Sequence, residues 1–132
     1  MEYDKYEFKK EHSYGPVPHT FLDFEQYHCI KTKQQHFCVN EKDSCVRIGD
    51  EIAKIVNVVV CDDDVYVVYR FFKRVRQFFG VPLDSQLLGI HIVSDLRNAT
   101  SVDKLSAIQA KCVLLPYTGN AYIVIPMTDS VW

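Results

Sequence analysis

Five cysteines and five histidines are the side chains of this chain best suited to bond-making chemistry. His28, Cys29, His36, Cys38 and Cys45 fall within eighteen residues, and thiolate and imidazole are the donors a tetrahedral zinc site takes. The stretch has no C-x-x-C knuckle, so core or surface thiols are expected and no metal ligand is assigned. Cys112 with His91 is the thiol–imidazole pair to weigh for nucleophilic catalysis. Both lie in apolar runs without a glycine-rich turn to supply oxyanion-binding amides, so no catalytic residue is assigned and no cofactor is expected. Asp62-Asp63-Asp64 offers three carboxylates, but consecutive residues point in different directions and a hard cation needs its oxygens converged. A hairpin turn is the expectation there.

Two further groupings bear on binding. Arg70, Lys73, Arg74 and Arg76 form the dense basic cluster of the chain, interleaved with Phe71, Phe72, Phe78 and Phe79. Such a segment can meet an acidic protein surface, track phosphates with its aromatics stacking on bases, or pair two copies of the chain. The partner-binding assignment is therefore Arg70, Lys73, Arg74, Arg76, Phe78 and Phe79. Tyr66, Tyr69, Phe71, Phe72 and Tyr117 supply the side chains for a candidate aromatic cage, which would hold a quaternary ammonium by cation–π contacts. A chain with 17 aromatics also needs most of them in its core.

The elements that must position these residues are strands. Ile52 to Val60 and Val65 to Phe72 are rich in β-branched and aromatic residues, and read as a hairpin across the acidic break. Leu88 to Val93, Cys112 to Leu115 and Ala121 to Ile125 read as further strands, the last two joined by "PYTGN". "QQHFCVN" is a short strand, Thr20–Ile30 is undecided between strand and helix, and "VDKLSAI" reads as a helical turn capped from Asn98–Ser101. In "VYRFFKRVRQFFG" the apolar residues also fall at helical spacing. The strand-like start at 65–69 favours a strand to about Phe72 and then an irregular or one-turn helical connection. Ile55, Val58, Val67, Ile92, Ile108, Cys112 and Ile123 are the expected core. The fold class is mainly β: a small antiparallel β-barrel or sandwich with one or two short helices.

Composition bounds the rest. The chain has 132 residues, 48% hydrophobic and 24% charged, which suits one soluble globular domain. Residues 1–19 read as a polar amino-terminal arm and 20–132 as the domain, cut from a longer protein. The charged start "MEYDKYEFKKEH" is unlike a signal peptide, and no apolar run is long enough to span a bilayer. Five cysteines are an odd number, so reduced thiols in an intracellular protein are expected, and the sequon Asn98-Ala99-Thr100 would stay unmodified. A net charge of −2 gives no global attraction to nucleic acid.

The order of pieces from residue 45 to 125 resembles the bromo-adjacent homology (BAH) domain of chromatin proteins. Gly49-Asp50 precedes a strand, "VYVVYRFF" stands where that family has its central aromatic strand, and Ser94 closes the next one. "VDKLSAI" then leads into Lys111-Cys112-Val113, where the family has an "I-x-G-K-C-x-V" signature. Ala110 replaces the glycine and Tyr69 stands where tryptophan is frequent. The arrangement is also similar to uncharacterised invertebrate proteins with transposon-like neighbours. The resemblance implies a non-enzymatic, chromatin-associated protein-interaction module in the nucleus. The alternatives are a nucleic-acid-binding or transposon-derived domain using the basic segment at 70–76, and a scaffold or dimerisation domain.

Overall fold

The computed structural model describes residues 6–33, 35–40, 43–77 and 90–127. Among these, 65% lie in strands and 3% in helix, forming one antiparallel sheet of ten strands.

Two long strands organise it. β5 (Glu51–Cys61) and β6 (Asp64–Gln77) pair from Cys61↔Asp64 to Ala53↔Phe71. The turn between them puts Asp62 and Asp63 at φ +52° and +66°. Two left-handed residues in a two-residue loop match the right-handed twist of the flanking strands, and aspartate tolerates that conformation better than most side chains. The acidic run thus forms the expected hairpin turn. Val56 is extra in the ladder, since Ile55 pairs with Tyr69 and Asn57 with Val68. This bulge bends β5 while keeping apolar side chains on the buried faces.

Each long strand outreaches its neighbours and so carries two of them on its other edge. β5 holds β4 (Cys45–Ile48) along 51–54 and β2 (Phe24–Lys31) along 58–61. β6 holds β8 (Ser101–Lys104) along 66–69 and β7 (His91–Leu96) along 72–77. β9 (Ile108–Pro116) pairs with β4, and β10 (Tyr122–Pro126) joins β9 to β7. β4, β5, β6, β7, β10 and β9 therefore make a closed circuit of pairings, in a sheet that is partly ringed without being a clear barrel. β1 (Glu7–His12) and β3 (His36–Cys38) both pair with β2.

Two cores result. One contains Ile30, Phe37, Val46, Ala53, Ile55, Val58, Val65, Val67 and Tyr69. The other draws one buried residue from each strand of the circuit: Cys45, Ile52, Phe72, Val93, Cys112 and Val124. Neighbours in β4, Cys45 and Val46, serve different cores, so both faces of the central strands are buried. That is why their sequences run apolar rather than alternating.

Several expectations are corrected. A further short strand, Cys45–Ile48, precedes the expected one at 52–60, and the chain turns between them at Gly49, which has a φ of +63°. The strand expected to about Phe72 continues to Gln77 in place of an irregular or helical connection, because β7 supplies the hydrogen-bonding partner that isolated periodicity cannot reveal. Ser101–Lys104 is β8, and the expected helical turn shrinks to a 3-10 turn at Leu105–Ala107. Residues 7–12 of the arm are a strand on β2. β7 begins at His91, and residues 88–89 of the expected strand lie outside the described residues. Of the expected core, Ile55, Val58, Val67, Ile92 and Cys112 are buried; the two cores divide Ile55, Val58 and Val67 from Cys112. Ile108 and Ile123 are only partly buried, and Val124 takes the interior position in β10.

The rest of the arm has a structural task. Asn57 is fully buried, and its amide donates to the Pro16 carbonyl (3.0 Å) and to Gln26 Oε1 (2.9 Å). Gln26 Oε1 also accepts from the Gly15 amide at 2.8 Å, and Phe21 packs on Tyr66 with ring centroids 4.9 Å apart. A Cβ at Gly15 would stand 2.5 Å from the Asn57 side chain, so only glycine lets the segment lie this close.

Candidate functional site

The basic segment becomes the projecting end of β6. Pairing with β5 stops at Ala53↔Phe71, while β6 continues beside β7 through Arg74↔Ser94, Val75↔Val93 and Arg76↔Ile92. Lys73, Arg74, Val75 and Arg76 are four consecutive exposed residues, Val75 at 46% of its full exposure. Among the described residues, no strand pairs with the other edge of this stretch. The four line an open groove of about 510 Å³ together with Ile92, Ser94 and Ala121.

Charge there is concentrated but not uniform. Arg74 Nε lies 3.1 Å from Asp95 Oδ2, in a pair that water screens on both sides. Lys73 and Arg76 extend the basic stretch on either side of it. Arg70 is set back: it pairs across the strands with Lys54, and its buried Nε has no hydrogen-bond partner among the described residues. Phe78 and Phe79, also assigned to partner binding, lie outside the described residues.

The aromatic cage is not assembled. Tyr69 is core, its hydroxyl donating to Asp103, and burial together with that carboxylate pushes its pKa upward. Phe72 belongs to the other core. Tyr66 packs at a tilt against Phe21, and Phe71 meets Tyr69 edge-on while the Arg97 guanidinium sits 5.8 Å from its ring centre. Tyr117 is exposed past the end of β9. Strand alternation and the two-core architecture send side chains that are adjacent in sequence to different places.

The thiols also sort differently from expectation. Cys29 and Cys38 face each other across β2 and β3 and form a disulfide, so two of the five are not reduced thiols. His36 shares their face of β3, with Nε2 3.2 Å from Cys38 Sγ, and the three ligand atoms lie within 4.8 Å of one another. This is the cluster among the described residues with metal-ligand geometry. Spacing of one residue on a strand and a cross-strand register produce it, which no C-x-x-C search detects. Cys45 is elsewhere, in the circuit core. The register Val46↔Lys111 puts it opposite Cys112, so the two buried thiols are neighbours in the same core. The neighbouring Cys112 thiol, with burial, pushes the Cys45 thiol's pKa upward. The neighbour of Cys112 across β4 and β9 is thus another core thiol.

Lys111 is a buried cation. It donates to the His36 carbonyl and to Asp43 Oδ1 at 3.0 Å, and its Nζ lies 5.7 Å from the Phe37 ring centre. Burial disfavours the Asp43 carboxylate, but the hydrogen bond and charge of Lys111 outweigh it and hold its pKa below the usual value. Sequence reading missed this pair, because residues 43 and 111 meet only through the β4–β9 pairing.

No helix of the described residues is long and apolar enough to cross a membrane. Nothing among the curated proteins or the solved structures matches the chain. A family model described as "Domain of unknown function (DUF8592)" matches residues 11–127, nearly the whole of the folded sheet, and the chain belongs to that family.

Proposed function

We propose that this protein is a non-enzymatic binding module that takes an extended acidic segment of another protein along the projecting end of β6. The observation that carries the reading is the run of four exposed residues, Lys73 to Arg76, lining a groove beside an edge with no strand partner among the described residues. An unpaired edge offers backbone amides and carbonyls to an added strand, while flanking cations select acidic side chains. The same charges discourage two copies from pairing edge to edge, as lysine and arginine do on exposed edges generally. That weighs against dimerisation through this surface. The chromatin setting implied by the BAH resemblance draws support from the β-rich fold class alone.

The test is fluorescence anisotropy with a labelled extended peptide carrying alternating glutamates, compared with a single-stranded oligonucleotide of equal charge. Binding of the peptide, lost on reversing Arg74→Glu and Arg76→Glu and weakened by salt, is the expected result. Stronger binding of the oligonucleotide, with the same salt dependence, would transfer the site to nucleic acid. If neither probe binds the native chain, the surface is a solvated edge and the proposal fails.

A further inference from the structure

We propose that Cys29, His36 and Cys38 form a zinc site in the reduced protein, and that the Cys29–Cys38 disulfide is the oxidised, metal-free state of the same site. Three observations converge on it. The β2–β3 register sets Cys29 directly opposite Cys38, with Cα atoms 4.1 Å apart. His36 lies two residues before Cys38 on a strand, so alternation delivers its ring to the same face. Its Nε2 is already 3.2 Å from Cys38 Sγ, and all three donor atoms fall within 4.8 Å of one another.

That spacing suits the ion. With zinc–sulfur bonds of about 2.3 Å and zinc–nitrogen bonds of about 2.0 Å, tetrahedral ligand atoms stand roughly 3.5 Å apart. The thiolate–imidazole set is soft to borderline, which selects zinc over calcium or magnesium. Three protein ligands leave a fourth position for water. His36 is partly exposed whereas both cysteines are nearly buried, so the site opens to solvent on the histidine side.

The frame around it is anchored independently of the sulfurs. The Thr32 amide donates to the Gln35 carbonyl at 2.8 Å, and the Gln35 amide donates to Thr32 Oγ1 at 3.1 Å, closing the β2–β3 connection. Lys111 holds the His36 carbonyl from β9. Breaking the disulfide therefore frees two ligands without releasing the strands that carry them.

The exchange balances with a peroxide as oxidant. Two zinc-bound thiolates give up two electrons and join as a disulfide. The peroxide O–O bond breaks, takes up those electrons and two protons, and leaves as two waters. Zinc departs as the aqueous dication. A dithiol reductant reverses the step.

The experiment uses the full chain, reduced under anaerobic conditions and freed of reductant, with Co²⁺ as optical probe and Zn²⁺ in competition with a chromophoric chelator. One equivalent of Co²⁺ should bind with thiolate charge-transfer and tetrahedral d–d bands, displaced by Zn²⁺, and the oxidised chain should bind none. Peroxide should release one equivalent of zinc while titratable thiols fall from five to three, the count of free cysteines beside the disulfide. Cys38→Ser should abolish the charge-transfer bands. His36→Ala keeps both thiols and removes a partly exposed ring, so it tests the site should the serine variant misfold. Its zinc affinity should fall at least roughly 10- to 100-fold, since groups that merely orient a metal-binding histidine are worth that much. A reduced chain of native circular dichroism that binds no cobalt, or that binds it unchanged in His36→Ala, overturns the assignment.

Discussion

At the scale of single residues, the most informative contact is the Lys111–Asp43 pair, because it joins β9 to the segment between β3 and β4. Both side chains are largely covered, at 10% and 25% exposure, so the pair is shielded from the screening that empties surface salt bridges of their value. The Asp43 carboxyl is depressed in the folded state relative to 3.8. Its contribution is therefore present above the unfolded pKa and disappears as pH falls through the lower folded one. Asp43→Asn should cost about 1–3 kcal/mol near neutrality, typical of a hydrogen bond to a charged group. Denaturant melts of the two proteins across the acid range check this: the gap should close below about pH 4. A gap that stays constant into acid would mean the cost is steric.

At the scale of elements, the hairpins show how little sequence is needed to turn a strand. β4 and β5 are joined by Gly49-Asp50, and Gly49 has φ +63° with open space around it: an added Cβ would meet no described atom within 4 Å. Gly49→Ala should therefore cost only the backbone term, about 1–2 kcal/mol, and leave the fold unchanged. Thermal denaturation with unchanged circular dichroism is the expected pair of readings. The β6–β7 ribbon illustrates the opposite case. Its apolar residues at 68–79 also fall at helical spacing, and what makes 72–77 a strand is the presence of β7 beside it.

At the scale of the whole molecule, the closed circuit of six strands separates two cores, and stability should follow that division rather than the count of apolar residues. Ile55 is fully buried, so Ile55→Ala should cost about 2–5 kcal/mol. Ile108, only partly buried against the same core, should cost clearly less on truncation. Equal losses by chemical denaturation would mean that the first core extends fully across β9.

Much of this protein was legible from residue types alone. β-branched density located β5, β6 and β9, the three aspartates marked the hairpin, and Cys112 was recognisable as a core thiol, because propensity, turn chemistry and burial are local or pairwise-repeating properties. What only the tertiary structure decided depends on partners far apart in the chain. Ile123 and Val124 are adjacent and both apolar, and only the pairing of β10 with β7 and β9 determines that the valine points inward. Of the five candidate cage aromatics, Tyr69 and Phe72 went to different cores, while Tyr66 and Tyr117 lie in neither. Cys29, His36 and Cys38 converged because the β2–β3 register set one strand against another, a relation that residue spacing along a single strand does not encode.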